Sequence, residues 1–202
     1  MKFVRYSGEQ QLQNNIMNTV KPNVVTAPDH RYFPPTSLKI FLAGGIQKCV
    51  GWQDMVINGM GDRVDINAYY DSLYLLNPRR TIWTEEPGAA ERQIEWEFDM
   101  LERCDLFTMY FAGGESDQPI CMYELGRYIE RMKTRFPVSW KKRIIITCDS
   151  SYKRLKDVII QTRLATDDQV QVSVVDGDVD SINVHINSIK EQVQCLYRSE
   201  NE

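Results

Sequence analysis

A short apolar run, Leu38-Lys39-Ile40-Phe41-Leu42-Ala43, is closed by two glycines, Gly44-Gly45. Such a run with a glycine stop is typical of a strand that is buried on both faces. Four similar runs follow it along the chain, at residues 74–76, 106–111, 143–148 and 170–175. Because the segments between these runs are long enough for helices, the alternation predicts a parallel sheet covered by helices.

The segments between the predicted strands carry apolar residues at helical spacing. One stripe is formed by Ile94, Phe98 and Leu101, and a second by Leu125, Ile129 and Met132. The longest stripe, which we expect to dock on the sheet, consists of Ile182, Ile186, Ile189, Val193 and Leu196. Together the elements predict a five-stranded, doubly wound α/β domain over residues 38–202, a flavodoxin-like or Rossmann-like three-layer sandwich whose ligands bind beyond the carboxyl ends of the strands.

Residues 1–37 have a different composition. They are rich in glutamine and asparagine between residues 9 and 18, and prolines interrupt the stretch that follows. Since no periodicity is present, we interpret residues 1–37 as an N-terminal extension with one short helix at most.

The composition excludes several classes of protein. A length of 202 residues fits one large domain, or a domain with an extension. The 43% of hydrophobic and 26% of charged residues are typical of a soluble globular protein. The 24 basic and 28 acidic residues give a net charge of −4, which leaves no positive field for a polyanion. We therefore expect no nucleic-acid partner.

The sequence also predicts the cellular location of the protein and whether it binds a metal. No apolar stretch reaches the roughly 18 residues of a membrane helix, and the first residues carry no signal-peptide hydrophobic stretch. We expect a cytoplasmic protein that does not contact membranes. The five cysteines are scattered and never form a Cys-x-x-Cys pair, which indicates reduced thiols. With two histidines in the chain, we expect no metal site.

One carboxylate lies where a purely structural helix would not place it. Glu97 is three residues after Ile94 and four before Leu101, which puts it beside the predicted apolar stripe. A carboxylate against a core loses hydration, and this cost persists only if a partner, a neighbouring subunit or a ligand compensates it. The alternative is an ion pair with Arg92, Arg103 or a lysine elsewhere.

A second carboxylate, Glu124, follows the third strand. Gly113-Gly114 ends that strand, and Pro119 suits a first helical turn, so Glu124 falls early in the next helix, at the ligand-binding edge. The backbone N–H groups and the helix dipole would favour its ionised form by about 0.3–1 kcal/mol. The alternative is a glutamate that complements the dipole and has no further role.

The two carboxyl groups acquire a chemical meaning when they are taken together. An ionised carboxylate opposite a partly desolvated carboxylic acid is the arrangement for displacement at an anomeric carbon. One group attacks C1′ and the other protonates the leaving group. A separation of about 5–5.5 Å between the carboxyl groups would give a covalent glycosyl-enzyme and net retention.

Four motifs also occur in a fixed order: Ile40-Phe41-Leu42-Ala43-Gly44-Gly45-Ile46, Asn77-Pro78-Arg79-Arg80, Gln93-Ile94-Glu95-Trp96-Glu97 and Tyr123-Glu124-Leu125-Gly126-Arg127. In this order they resemble the nucleoside 2-deoxyribosyltransferase-like family over about residues 38–150. The resemblance implies that Glu124 is similar to the family's nucleophilic glutamate in its E-L-G motif. It also implies that Glu97 protonates the departing base, and that a homo-oligomer forms in which the neighbouring subunit completes each site.

One position departs from the family pattern. Six residues before the nucleophile, transferases of this family tend to carry an aspartate that holds the nucleoside, and the related monophosphate glycosidases a phosphate-binding serine. Here the position is Gln118, with Asp117 and Ser116 just upstream. We include Asp117 and Gln118 among the candidate substrate-binding residues, and the 5′ group stays open.

The loops after the first two strands supply further candidates for substrate binding. Gly44 and Gly45 would let the first loop close over a sugar or phosphate, with Gln47 or Trp52 near the base; a plain tight turn is the alternative.

Two arginines follow the second strand. Arg79 and Arg80 would bind a 5′-phosphate or orient a carboxylate. A surface ion pair is the alternative for both side chains.

These observations predict glycosyl transfer at the N-glycosidic bond of a nucleoside or nucleotide, in particular a 2′-deoxy one, through a covalent glycosyl-glutamate. A free nucleobase would accept the sugar in transfer, and water in hydrolysis; neither reaction needs a cofactor. Two alternatives stay open. One is a nucleoside 5′-monophosphate N-glycosidase that uses the same glutamates, and the other is a non-catalytic member that serves as a binding or assembly module.

Overall fold

A single parallel sheet organises the part of the chain that the computed structural model describes, residues 17–61, 63–67, 70–82 and 86–196. Its six strands, in spatial order, are β2 (Asn23–Thr26), β5 (Ser72–Asn77), β3 (Ser37–Gly44), β6 (Leu106–Phe111), β7 (Ile144–Asp149) and β8 (Val172–Val175). A separate antiparallel pair consists of β1 (Met17–Val20) and β4 (Val64–Asn67). The predicted parallel α/β sheet is confirmed.

Helices cover both faces of the sheet. On one face lie α1 (Trp52–Met60) and α5 (Asp178–Cys195), and on the other lie α2 (Ala89–Arg103), α3 (Pro119–Arg135) and α4 (Leu155–Thr166). A 3₁₀ helix (Trp140–Arg143) leads into β7. The predicted apolar stripes of α3 and α5 are buried against the sheet, as expected. No helix of the described segments is both long and apolar enough to cross a membrane.

The number of strands was predicted one too low. The five predicted strands are present, but β2 adds a sixth at the sheet edge, where Val25 pairs with Leu76 and is fully buried. This strand comes from the predicted extension. It is only four residues long and is flanked by Pro22 and Pro28, so neither its length nor its setting produced a strand pattern in the sequence. Residues 1–16 of the predicted extension lie outside the described residues.

Helix α2 exists where it was predicted, but the predicted buried face was wrong. Ile94 and Phe98 are 64% and 48% exposed, whereas Gln93, Trp96 and Met100 are buried. Trp96 packs near Phe41, and its indole Nε1 donates a hydrogen bond to a backbone carbonyl of the N-terminal segment. Ile94 and Phe98 therefore have the helical spacing of a core stripe although they lie on the exposed face of α2.

The order of the strands places the ligand edge. The five predicted strands, numbered in chain order, are arranged 2-1-3-4-5, and the chain changes faces of the sheet between β3 and β6. In doubly wound sheets a crevice opens at this point, beyond the carboxyl ends of the strands. The loops after β3 and β6 meet there, together with the beginning of α3 and one turn of α2.

Candidate active site

A cavity of about 330 Å³, here called the main cavity, opens between the ends of β3 and β6. Its walls come from the loop that follows β3, from Pro78 after β5, from α2 and from the first turns of α3. Both predicted carboxyl groups, those of Glu97 on α2 and Glu124 on α3, line it. The structure thus brings together two acidic side chains that are 27 positions apart in the sequence.

The Glu124 carboxyl group has little support for a negative charge. It keeps some solvent contact through the cavity but is surrounded by protein on its other sides. Loss of hydration, followed by the nearby charge of Glu97, raises the pKa of Glu124 to about 8. The expected stabilisation by the helix dipole was wrong, because Glu124 is the sixth residue of α3 and the dipole acts mainly on the first turn.

The Glu97 carboxyl group has a different environment. Burial raises its pKa, while a hydrogen bond from Gln93 and the charge of Arg80 oppose that rise. Of the ion pairs considered as its alternative role, those with Arg92 and Arg103 are not found among the described residues, where Arg92 pairs with Glu86 and Arg103 pairs with Asp99. At neutral pH the two carboxyl groups of the main cavity therefore retain a proton between them.

The glycines after β3 allow close packing. A Cβ atom on Gly44, whose φ is +152°, would lie 2.3 Å from the carbonyl oxygen of Tyr110 on the neighbouring strand. A Cβ atom on Gly45 would lie 2.4 Å from Cys49 Sγ and 2.6 Å from Gln118 Oε1. These glycines let the first loop approach β6 and the start of α3, which shapes one wall of the main cavity.

Two neighbours of these glycines have different positions. Gln47 is exposed and lines the main cavity. Trp52 is fully buried, packs on Tyr110 and donates from Nε1 to the Gly45 carbonyl oxygen (2.9 Å). Trp52 therefore stabilises the loop from its buried side and does not line the main cavity.

The two arginines after β5 differ in their contacts. Arg79 donates to the backbone carbonyl oxygens of Ile46 (2.8 Å) and Cys49 (3.2 Å), so its guanidinium group fixes the first loop. Arg80 donates to the side chain of Gln93 and to the Ala89 carbonyl oxygen. It lines a second cavity of about 360 Å³, here called the side cavity, which borders Glu97 as well.

The residues just before α3 differ in whether they line the main cavity. Gln118 is 4% exposed, adopts a left-handed backbone conformation (φ 45°) and lines the main cavity. Its Nε2 donates to the Ala112 carbonyl oxygen (2.9 Å), and within the described residues its Oε1 has no hydrogen-bond partner. Ser116 also lines the main cavity, whereas Asp117 is held by Lys153 (2.8 Å) and lies outside it.

One residue of the site was not predicted. Gln93, one turn before Glu97 on α2, is buried and hydrogen-bonds to the carboxyl group of Glu97 (2.6 Å). The i, i+4 spacing of the two residues was the available signal. No group of three or more His, Cys, Asp or Glu side chains suited to a metal ion is found among the described residues.

Comparison with known proteins identifies a family for the chain. A family model described as "Nucleoside 2-deoxyribosyltransferase like" matches residues 37–141, which is about half of the chain and includes Glu97, Gln118 and Glu124. No curated protein matches the chain well enough to count as a relative. Members of the matched family are generally enzymes. The chain belongs to the nucleoside 2-deoxyribosyltransferase-like family.

Proposed function

We propose that this protein breaks the N-glycosidic bond of a nucleoside, in particular a 2′-deoxynucleoside, through a covalent glycosyl-enzyme. The observation that carries the proposal is that two partly buried carboxyl groups, from the consecutive helices α2 and α3, line one cavity, and that the charge of one raises the pKa of the other. Paired carboxyl groups with unequal environments are the arrangement that glycosyl transfer requires.

The two glutamates have complementary roles. The carboxylate of Glu124 attacks C1′ and forms a C–O bond while the C1′–N bond breaks. Glu97 gives its proton to the departing base, so the base leaves as a neutral molecule. A second base, or water, then attacks C1′, gives its proton to Glu97 and releases Glu124. The pair must therefore hold one proton when the substrate is bound, whichever oxygen carries it beforehand.

The main cavity suits an uncharged nucleoside better than a nucleotide. None of the described residues that line it is Lys, Arg or His, and two of them are glutamates. Arg79, the expected phosphate ligand, is already committed to backbone carbonyl oxygens of the first loop. The buried Oε1 of Gln118 can only accept a hydrogen bond, so it favours a hydroxyl or N–H group over a phosphate dianion. These contacts support a nucleoside over a 5′-monophosphate as substrate.

The side cavity supports transfer in addition to hydrolysis. It shares Ile46, Gln47, Pro78 and Glu97 with the main cavity, so the two cavities adjoin at the acid, and Glu124 lines only the main cavity of the two. A free nucleobase bound there would lie beside the group that must take its proton.

A second copy of the chain is the proposed partner, as the family resemblance implies. Helices α2 and α3 expose a group of apolar side chains near the mouth of the main cavity, here called the outer patch: Ile94, Phe98, Ile120 and Tyr123. Ile120 belongs to both the outer patch and the cavity wall. A neighbouring subunit that covers the outer patch would reach the substrate as well. The five free thiols of the chain fit the cytoplasm, where we place the protein.

One experiment tests the proposal directly. The protein is incubated with deoxynucleosides and with their 5′-monophosphates, with and without a second base, and free and exchanged bases are followed by chromatography. We expect base exchange with deoxynucleosides, little release from monophosphates, and no activity in Glu124→Ala. Release from monophosphates alone would favour the glycosidase. No release from any substrate, together with an unchanged Glu124→Ala protein, would favour the non-catalytic binding role.

A further inference from the structure

Gln93 is a polar residue on the buried face of α2, where the other buried side chains of the face are apolar. Its amide group makes three hydrogen bonds. Nε2 donates to the Pro78 carbonyl oxygen (2.7 Å) and to Glu97 Oε1 (2.6 Å), and Oε1 accepts from Arg80 Nε. Both amide hydrogens are thus used, and the oxygen is used as well.

These partners allow only one orientation of the amide. If the amide were turned over, its oxygen would face the carbonyl oxygen of Pro78 and the carboxyl group of Glu97, and its N–H groups would face the guanidinium of Arg80. Each of these contacts would be repulsive. Arg80 is itself held by the Ala89 carbonyl oxygen at the start of α2 (3.3 Å), so the orientation is fixed from the loop after β5 and from the helix.

The orientation of the amide determines which oxygen of Glu97 can be protonated. Because Gln93 always presents an N–H group to Oε1, a proton on Oε1 would meet another donor, and that arrangement is unfavourable. A proton on the other oxygen, Oε2, leaves the hydrogen bond intact. Oε2 is also the oxygen that Gln93 does not contact, and Glu97 forms part of the wall of the main cavity.

We propose that Gln93 is a positioning residue: held by Arg80 and Pro78, it fixes the Glu97 carboxyl group and confines its acidic proton to Oε2. This inference rests on the proposed function, in which Glu97 gives a proton to the departing base. Gln93 lines the side cavity but not the main cavity, so in this scheme it acts on the departing base only through Glu97. A proton held on one oxygen is already aimed at its acceptor, which saves the orientation cost of general acid catalysis.

The test replaces the amide by an apolar side chain of similar shape, Gln93→Met. We expect kcat for base release to fall by about 10- to 100-fold, while KM changes by less than about 3-fold. Since the amide N–H stabilises the carboxylate, its loss also moves the alkaline limb of the pH–rate profile upward. Gln53→Met is the matched control, because Gln53 is equally buried in α1 and forms no hydrogen bond through its side chain within the described residues. We expect no shift of the limb in Gln53→Met.

A second variant and a second readout keep the inference separate from the proposed function. Arg80→Met leaves Gln93 in place but removes one of the three contacts that orient its amide, together with a charge that favours ionised Glu97, so we expect the same changes with smaller size, even if Gln93→Met does not fold. The midpoint of Glu97 ionisation, followed by NMR of ¹³C-carboxyl-labelled glutamate, should rise in both variants whether or not the protein releases base. Two results would overturn the inference. One is a fall in kcat without a shift of the alkaline limb of the pH–rate profile, and the other is an unchanged midpoint of Glu97 ionisation in both variants.

Discussion

The two sides of the main cavity treat the same chemical group in opposite ways. On the α2 side, Glu97 receives a hydrogen bond from Gln93 and lies near the charge of Arg80, and both favour its ionised form. On the α3 side, Glu124 is largely surrounded by protein, and the charge of Glu97 disfavours its ionised form. Burial raises the pKa of both groups, but among the described residues Glu97 alone has contacts that limit the rise.

The difference matches the two proposed roles. An acid that loses its proton in one step and regains it in the next needs an environment that tolerates both states, and Gln93 and Arg80 provide this for Glu97. A carboxylate is more reactive as a nucleophile when its negative charge is poorly stabilised, because that charge is lost when the neutral ester forms. Glu124 has this environment. The contrast teaches that the polar contacts around a carboxyl group, and not burial alone, separate acid from nucleophile.

The largest expected effect concerns activity. Glu124→Gln removes the nucleophile, and we expect base release to fall by more than about 10⁴-fold, whereas Glu97→Gln should cost about 10²- to 10⁴-fold. A nucleoside whose base departs without protonation should restore much of the rate in Glu97→Gln and none in Glu124→Gln. Steady-state rates of both variants on both substrates check this. Restoration in the opposite variant would exchange the roles of the two residues.

The pH dependence sharpens the comparison further. The proton that the pair retains is lost as the pH rises through about 8, the raised pKa of Glu124. Because the mechanism needs one proton on the pair, we expect kcat/KM to fall about tenfold per pH unit above this point. The measurement uses a deoxynucleoside whose base does not titrate between about pH 5 and about pH 10. A value of kcat/KM that stays constant up to about pH 10 would contradict the proposal that the carboxyl pair must hold one proton.

Stability provides a test that needs no substrate. The folded protein holds a proton on Glu124 that the unfolded chain has lost above its ordinary pKa, so ionisation opposes folding as the pH rises from about 4.5 toward 8. We expect Glu124→Gln to raise the free energy of unfolding by roughly 1–4 kcal/mol at pH 7, and the gain to vanish below about pH 4.5. Urea unfolding at both pH values measures this.

The exposed Glu130 on the same helix supplies the control, and Glu130→Gln should change stability by less than about 0.5 kcal/mol. Glu97→Gln should stabilise the protein less than Glu124→Gln, since it also breaks the contact with Gln93. Equal gains from the two substitutions would remove the difference between the two sides of the cavity.

The smallest expected effect on the folded monomer concerns the outer patch. Phe98 lies under the guanidinium of Arg127 (4.4 Å) and is otherwise half exposed, so Phe98→Glu should change monomer stability by less than about 1 kcal/mol. It should nevertheless shift the protein to a smaller assembly, as measured by sedimentation velocity. Leu164→Glu places the same charge on an exposed site of α4 outside the outer patch (62% exposed, against 48% for Phe98) and serves as the control. An unchanged assembly in Phe98→Glu would argue against the outer patch as the interface between subunits.

Much of the fold could be predicted from the sequence because buried parallel strands read as apolar runs, such as residues 38–43. The edge strand β2 could not, since it is short and lies between prolines. The buried face of α2 was also missed, because a glutamine occupies the core side and Ile94 lies outside. Hydrophobic spacing alone does not distinguish a core stripe from an apolar patch that faces outward.

The site was predictable in its carboxyl groups and less so in its other contacts. Glu124 could be placed at the ligand edge because it falls early in the helix that follows a strand, and Glu97 could be singled out because it lies beside apolar positions of its helix. Arg79 could not be assigned, because an arginine that binds loop carbonyl oxygens has the same sequence signature as one that binds a ligand. The pKa of Glu124 depends on burial and on Glu97, which only the packed structure defines.

The most direct measurement is a search for the covalent glycosyl-enzyme. The protein is mixed with a deoxynucleoside without an acceptor base, quenched in acid and analysed by mass spectrometry of the intact chain and of its peptides. We expect one added deoxyribosyl group, located on Glu124 and absent from Glu124→Gln. Rapid base exchange without any adduct, or an adduct on another residue, would contradict the account.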